Sequence, residues 1–217
     1  LTSPVLLLAD GRLAMSIETN KTYFDAGKWP QRAVFFHSPD KGQSWSAPVT
    51  VAEDATGRIF NWDLRCGVAA DGAVASFAWT YDSETARYLD IHRRVSRDGG
   101  ASWSAPEPLG FADQAARPAM RADGGVVLAW VDRFGTQSIR ARHARAVAAP
   151  FDAETEAVIY THPRPDAGSA DTGAMLASME LWSFGLPTAV ALPDGEVLVA
   201  YYAGTAEALD VHWARLR

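Results

Sequence analysis

The sequence contains a single cysteine, Cys66, among 217 residues. One cysteine excludes a disulfide within the chain and any cysteine-rich metal site. No apolar run is long enough to cross a bilayer, and the start of the chain shows no signal-peptide pattern. The arginines are spread along a chain of net charge −6, whereas a nucleic-acid-binding face needs a basic cluster. We therefore expect neither a membrane span nor a nucleic-acid partner, while secreted, periplasmic and cytoplasmic locations all stay open.

Several catalytic and helical patterns are missing as well. No segment shows sustained 3.6-residue periodicity, no cluster of histidines and carboxylates has metal-ligand spacing, and no glycine-rich phosphate loop follows a strand. A Gly-x-Ser-x-Gly nucleophile elbow is also absent. We therefore expect no metal and no cofactor. What the chain has is 48% hydrophobic residues with eight Trp, nine Phe and six Tyr, which suits strands and a sugar-binding surface.

Four Asp-Gly pairs divide the chain into repeated units, and each pair predicts a hairpin turn because it stands between two short apolar runs. The pairs are Asp10-Gly11, Asp71-Gly72, Asp123-Gly124 and Asp194-Gly195. A third run follows in every unit and a fourth in the first three, so each unit is typical of an antiparallel propeller blade. We expect an all-β fold, with one domain over residues 1–217 and blades at about 1–55, 62–112, 115–160 and 184–217.

A nonapeptide, Ser-x-Asp-x-Gly-x-Ser-Trp-Ser, occurs at residues 38–46 and again at 96–104. Its Asp accepts backbone N–H bonds, its Gly supplies an unusual backbone angle, and its Trp anchors the turn. The motif resembles the Asp-box of the sialidase and BNR-repeat families, and the resemblance extends plausibly over the whole chain. It implies a β-propeller, with these turns on the face away from the active site.

The family resemblance also bears on blade number. Asp-box propellers have five or more blades, so we expect these four units to belong to a five- or six-bladed ring, with a four-bladed ring or pairing with a second chain as alternatives. The fourth unit ends after its third strand at Arg217. An unsealed sheet edge favours association, so self-association through that edge is a further expectation.

Blade topology places the loops after each second strand and the crossovers between blades on one face, where we expect the site. There, Arg65-Cys-Gly-Val and Arg117-Pro-Ala are similar to the Arg-Ile-Pro segment whose arginine binds the substrate carboxylate in sialidases, although Gly67 replaces the proline. The resemblance implies a carboxylate clamp, a carboxylic acid/base and a tyrosine nucleophile with a glutamate partner. The candidates are Arg65, Arg117 and Arg133 for the clamp, Asp82 (then Glu84) for the acid/base, and Tyr202 or Tyr201 with Glu180 for the nucleophilic pair.

These residues predict an exo-glycoside hydrolase that removes a terminal acidic sugar from a glycan. One alternative is another glycosidase or a polysaccharide lyase on the same scaffold. The other is a glycan-binding propeller without catalysis, which uses Trp62, Trp182 and Phe184 as stacking surfaces. Each candidate also has a structural interpretation, the plainest being that Arg65 simply pairs with Asp63.

Overall fold

The computed structural model describes residues 3–20, 30–111, 114–163, 182–205 and 207–217, and the regular structure in these residues is β-strand. Four antiparallel sheets are arranged as the blades of a propeller, which confirms the predicted fold class. Within the described ranges no helix is long and apolar enough to cross a membrane.

Blade 1 contains β1 (Leu6–Leu7), β2 (Leu13–Glu18), β3 (Arg32–Ser38) and β4 (Val49–Glu53). Blade 2 contains β5 (Ile59–Val68), β6 (Val74–Asp82), β7 (Arg87–Ser96) and β8 (Glu107–Pro108). Blade 3 contains β9 (Gln114–Ala115), β10 (Ala119–Met120), β11 (Val126–Asp132), β12 (Ser138–Ala144) and β13 (Asp152–Thr161). Blade 4 contains β14 (Phe184–Ala191), β15 (Val197–Gly204) and β16 (Leu209–Leu216).

All four Asp-Gly pairs form the same turn, which joins β1 to β2, β5 to β6, β10 to β11 and β14 to β15. The glycines have φ between 84° and 86°, a left-handed conformation that costs glycine little. Each aspartate accepts a hydrogen bond from the backbone N–H two residues later, at 2.9–3.1 Å. The turn is therefore determined by its own two residues and needs no tertiary contact.

The two nonapeptide turns, called the Asp turns below, have nearly identical hydrogen bonds. In the second, Asp98 accepts bonds from the hydroxyl of Ser96 at 2.7 Å and from the amide and hydroxyl of Ser102 at 2.9 and 2.5 Å. These bonds hold the pKa of Asp98 at about 2. Trp103 packs edge-on against Phe35 of blade 1 at 5.4 Å, so this turn also joins two blades.

The core consists of apolar layers between neighbouring blades. Phe35 and Leu64 lie in the layer between blades 1 and 2, Phe77 and Leu128 in the layer between blades 2 and 3, and Val199 in that between blades 3 and 4. Burial of a side chain of this size contributes about 1.5–3 kcal/mol.

The two end blades carry exposed apolar side chains. Leu7 of blade 1 is 67% exposed, and Val211 and Trp213 of β16 are 81% and 66% exposed. Blade 4 has three strands among the described residues, with β16 outermost. This edge is the one for which self-association is predicted, and that prediction stays untested.

The innermost strands of the four blades surround a central cavity of about 320 Å³. Its walls come from β1, β5, β10 and β14 and from residues beside them, including Val5, Gly67, Pro118 and Ala189. Strand β5 begins at Ile59, three residues before the predicted start of blade 2 at about residue 62. Pairing of β5 with β6 continues on both sides of a bulge between Trp62 and Arg65, and this irregularity masks the strand pattern.

Candidate functional site

Antiparallel pairing puts the Asp-Gly and Asp turns at one end of the blades and the loops after the second strands at the other. This second end, called the loop face below, also contains the crossover into β5 and the start of β14. Glu180, the predicted partner of the nucleophile, lies outside the described residues. The other predicted site residues are described.

Arg65 on β5 and Arg117, which lies between β9 and β10, occupy equivalent positions in blades 2 and 3. Gly67 pairs with Ala75 in blade 2, and Ala119 forms the equivalent pair with Val127 in blade 3. Arg65 lies two residues before Gly67, and Arg117 lies two residues before Ala119. The strands approach closely, because a Cβ on Gly67 would lie 2.6 Å from a methyl carbon of Met120 and 2.9 Å from Pro118. Glycine at position 67, where the sialidase motif has proline, is therefore explained by packing of β5 against blade 3.

Asp63 lies beside Arg65 on the bulge of β5. Its φ is 49°, a strained conformation for a non-glycine residue that costs on the order of 1–3 kcal/mol and is found preferentially at functional sites. One carboxylate oxygen accepts a hydrogen bond from the Gln114 amide of blade 3. The other lies 3.8 Å from the Arg65 guanidinium, which is an ion pair without a hydrogen bond. Sequence reasoning considered Asp63 only as a structural partner, since the bulge has no signature in the residue pattern.

Asp82 is almost fully buried and its carboxylate is occupied by structural contacts. Arg58 donates two hydrogen bonds to it, at 2.9 and 2.6 Å, and the amides of Glu84 and Thr85 donate at 3.0 and 3.3 Å. The Arg58 bonds hold the pKa of Asp82 far below its usual range. A general acid must carry a proton near the operating pH, so this geometry favours a loop-capping role over the predicted catalytic one. Glu84, the second candidate, is mostly exposed and also pairs with Arg58, at 3.3 Å.

Arg133 lies between blades 3 and 4 and is only 2% exposed. Its guanidinium carbon is 4.0 Å from the Trp182 ring centroid and 4.7 Å from that of Phe184, and it donates a hydrogen bond to the Phe184 carbonyl at 2.7 Å. The rings of Trp182 and Phe184 are themselves buried. These contacts favour a cation that joins two blades, and they leave Trp62, which is half-buried, as the most accessible of the three aromatics predicted to stack on sugars.

Tyr202 and Arg133 come together at the start of β14. A Cβ placed on Gly185 would lie 2.7 Å from a terminal nitrogen of Arg133 and 3.1 Å from the Tyr202 hydroxyl. Gly185 has φ of 149°, and the missing side chain leaves room for both groups. Tyr201 instead points into the core beside Phe184, where burial raises the pKa of its phenol. Successive side chains of a strand point to opposite faces of the sheet, so Tyr202 lies on the other face.

A chain of three polar side chains that sequence reasoning missed lies near the crossover into blade 4. His162 bonds Tyr160 through Nδ1 and Ser183 through Nε2, both at 2.9 Å, and its ring stacks on Phe184 at 4.9 Å. His162 and Ser183 are 21 positions apart and the three residues belong to no motif, so only the packing of blade 4 against blade 3 brings them together.

Among the described residues no group of three or more His, Cys, Asp or Glu side chains could hold a metal ion. Cys66 is buried next to Ser16 on β2, and burial raises the pKa of its thiol to about 12. A thiol with that pKa is almost fully protonated at neutral pH, so it is a poor nucleophile.

Comparisons by sequence find no family model and no curated protein that matches the chain. Comparison of structures finds a protein of unknown function from Dyadobacter fermentans, 25% identical with a TM-score of 0.66, which covers 97% of this chain and 51% of its own. An intramolecular trans-sialidase from Ruminococcus gnavus is 16% identical with a TM-score of 0.57, covering 98% and 42%. An α-L-arabinanase from Penicillium chrysogenum is 15% identical with a TM-score of 0.63, covering 98% and 61%.

These likenesses show the propeller fold that the chain shares with glycoside-acting proteins. The chain spans about half the length of the solved structures it matches. At sequence identities this low, the shared fold does not assign an activity, so the assignment depends on the side chains at the loop face.

Proposed function

We propose that this chain acts as a sialidase-like exo-glycosidase that removes a terminal acidic sugar from a glycan. The shared fold supports a glycoside-acting scaffold. The observation that carries the acidic-sugar part is that Arg65 and Arg117 occupy equivalent positions in the neighbouring blades 2 and 3. A guanidinium stays charged and meets a carboxylate with two parallel bonds, so arginines at equivalent positions in two neighbouring blades suit a sugar carboxylate.

In this proposal Asp63 takes the acid/base role that sequence reasoning gave to Asp82. Its carboxylate lies next to Arg65 on the inner strand, on a strained bulge, and is 20% exposed. Tyr202 remains the proposed nucleophile, positioned at Gly185, and Glu180 its predicted base. Attack by the phenolate on the anomeric carbon would expel the leaving group as Asp63 protonates it, and water would then release the sugar as Asp63 removes the water's proton.

Four variants test the proposal with fluorogenic glycosides, sialosides first, and with melting measured on each. Arg65→Lys keeps the charge but loses the two-pronged contact, and a charge-assisted bond contributes about 1.5–3 kcal/mol. We expect kcat/KM to fall roughly ten- to hundredfold. Arg65→Ala should lower kcat/KM further, and Asp63→Asn should lower kcat with little change in melting temperature.

Asp82→Asn is the matched control. It removes a carboxylate at the same face, so it should lower stability through Arg58 while the folded fraction keeps its turnover. If Asp63→Asn and Arg65→Ala merely destabilise the protein and leave turnover intact, the two form a structural pair and the clamp is refuted. Turnover of neutral glycosides alone, unchanged by the Arg65 substitutions, would refute the proposal that the substrate carries an acidic sugar.

A second candidate is a glycan-binding propeller without hydrolysis. It is supported by the structural contacts that occupy Asp82 and bury Arg133, which remove two of the predicted catalytic and clamp residues from the solvent-accessible site. Glycan binding that depends on Arg65, with no turnover of any glycoside in the panel, would establish this candidate instead.

A further inference from the structure

The inner strand of blade 2 carries a bulge that holds Asp63 in a left-handed conformation. Pairing of β5 with β6 is interrupted between Trp62 and Arg65, so Asp63 and Leu64 together stand opposite a single residue of β6. A bulge of this kind bends the strand and re-aims the side chain that it carries. Asp63 therefore keeps its place beside Arg65 only while the bulge keeps its shape.

Blade 4 contains a bulge at the same distance from its Asp-Gly turn, and there the local residues explain it. Pairing of β14 with β15 shifts between Gly185 and Thr188, and Leu186 has φ of 44°. Gly185 itself has φ of 149°, a conformation that glycine adopts readily. Pro187 has no backbone N–H to donate to a ladder, and proline in a sheet is found at edges and bulges. The residues on either side of Leu186 therefore favour this bulge by themselves.

Blade 2 lacks these local signals, because Trp62 and Leu64 flank its left-handed residue. Neither side chain gives the backbone the freedom of glycine, and neither removes a donor as proline does. A left-handed conformation is unfavourable for a residue with a side chain and persists only where the surroundings enforce it. Contacts from outside the strand must therefore stabilise the bulge at Asp63.

Side chains from both neighbouring blades make such contacts. Glu18 of blade 1 accepts a hydrogen bond from the Leu64 amide at 2.7 Å, and Ser3 donates one to the Leu64 carbonyl at 2.8 Å. Gln114 of blade 3, which is 5% exposed, donates its side-chain amide to the Asp63 carboxylate. Hydrogen bonds to a charged group are roughly twice as strong as neutral ones. The backbone of the bulge is therefore held from blade 1 and its carboxylate from blade 3.

We propose that Glu18 and Gln114 are positioning residues that fix the Asp63 carboxylate beside Arg65. Gln114 occupies one carboxylate oxygen, and the other lies 3.8 Å from the Arg65 guanidinium. An acid/base group has to be held within about 0.5 Å of its productive position, which a strand without local bulge signals does not achieve alone. The inference rests on the proposed function in one respect, since it takes Asp63 to be the acid/base.

The test measures kcat and KM with aryl sialosides, urea unfolding, and hydrogen exchange at the Leu64 amide. Glu18→Ala removes the acceptor of that amide, so exchange at Leu64 should become faster. Because Asp63 is then misplaced, kcat should fall roughly ten- to hundredfold while KM changes little. Glu18→Gln keeps an acceptor oxygen on a side chain of the same length and should restore both the slow exchange and kcat. Gln114→Met keeps the length of the side chain but cannot donate, and it should lower kcat as Glu18→Ala does.

Gln31→Ala is the matched control. Gln31 of blade 1 also bonds the backbone of β5, through two hydrogen bonds with Asn61 at 2.7 and 2.9 Å, but Asn61 lies outside the bulge. Loss of these bonds should lower the urea midpoint, while kcat per folded molecule stays that of the unmodified protein. A general loss of stability is thereby separated from a loss of positioning.

Full kcat in Glu18→Ala and Gln114→Met, in a protein whose Asp63→Asn variant is impaired, would overturn the inference, and so would unchanged exchange at Leu64 in Glu18→Ala. Failure of the proposed function has a different signature. A protein that turns over no glycoside, or whose Asp63→Asn variant keeps full turnover, refutes the acid/base role. Exchange at Leu64, together with the NMR shift of the Asp63 carboxyl carbon in Gln114→Met, then still decides whether the two side chains hold the bulge.

Discussion

Arg93 of β7 offers the sharpest test of how the blades are held together. It is 0% exposed, and its guanidinium makes bonds of 2.8–3.0 Å with the Glu107 carboxylate of the same blade. It also donates to three successive carbonyls in the last turn of blade 3, at 3.1, 3.2 and 2.7 Å; these carbonyls belong to Val147, Ala148 and Ala149. Replacement with methionine fills part of the space but leaves these acceptors without a donor.

The expected loss of stability follows from the buried acceptors that the substitution leaves without a donor. Removal of one partner from a buried ion pair costs about 3–5 kcal/mol, and the lower end applies because Glu107 is 51% exposed and regains water. We expect Arg93→Met to reduce the free energy of unfolding by about 3 kcal/mol. The loss should appear as a lower urea midpoint with an unchanged slope.

Arg94→Met is the matched control, because the neighbouring guanidinium makes one hydrogen bond, to the Ser104 carbonyl at 3.0 Å. It should lose about 1 kcal/mol or less. Equal midpoints for Arg93→Met and Arg94→Met would refute the reasoning, since the two side chains differ mainly in the number of buried acceptors they serve.

Three further predictions concern two residues away from the site. Asp98→Ala should destabilise the protein by roughly 1–3 kcal/mol, because it removes the acceptor of three hydrogen bonds, while turnover per folded molecule stays the same; normal melting with lost turnover would contradict this. The pKa of Asp98 is lowered in the folded state to about 2, so its contribution to the free energy of unfolding should be complete above about pH 4 and disappear towards pH 2. If acid unfolding curves of the unmodified protein and of Asp98→Ala run parallel, that role is refuted. Cys66, with its thiol pKa raised to about 12, should react with a thiol reagent only on unfolding, and rapid labelling of the native protein would be incompatible with its burial.

Local turn chemistry accounts for the accuracy of the fold prediction. An Asp-Gly pair sets its own backbone angles and bonds its own amides, and an Asp turn closes within nine residues. Such signals act over a few positions, so they survive any change in the rest of the chain. The sequence did not indicate where strand β5 begins, because the bulge at Asp63 shifts the alternation of buried and exposed residues.

The candidate site was much less predictable. Asp82 and Asp132 cap equivalent loops, and comparison of the repeats could have indicated that both are structural. Burial of Arg133 by Trp182, the place of Asp63 beside Gln114 and the stacking of Phe134 on Tyr88 had no such signal. Each depends on which residues neighbouring blades bring together.

The sequence by itself determined the strands, the turns and the end of the blades at which the long loops lie, because hydrophobic alternation and turn residues act within one hairpin. Only the tertiary structure decided which charged groups are engaged and which face solvent. Arg93 and Arg65 look alike in the sequence, yet one is enclosed by carbonyls from blade 3 and the other lies on an inner strand beside a strained carboxylate. The reason is physical: the environment of a charge is set by groups tens of residues away, and their positions follow from how the blades pack.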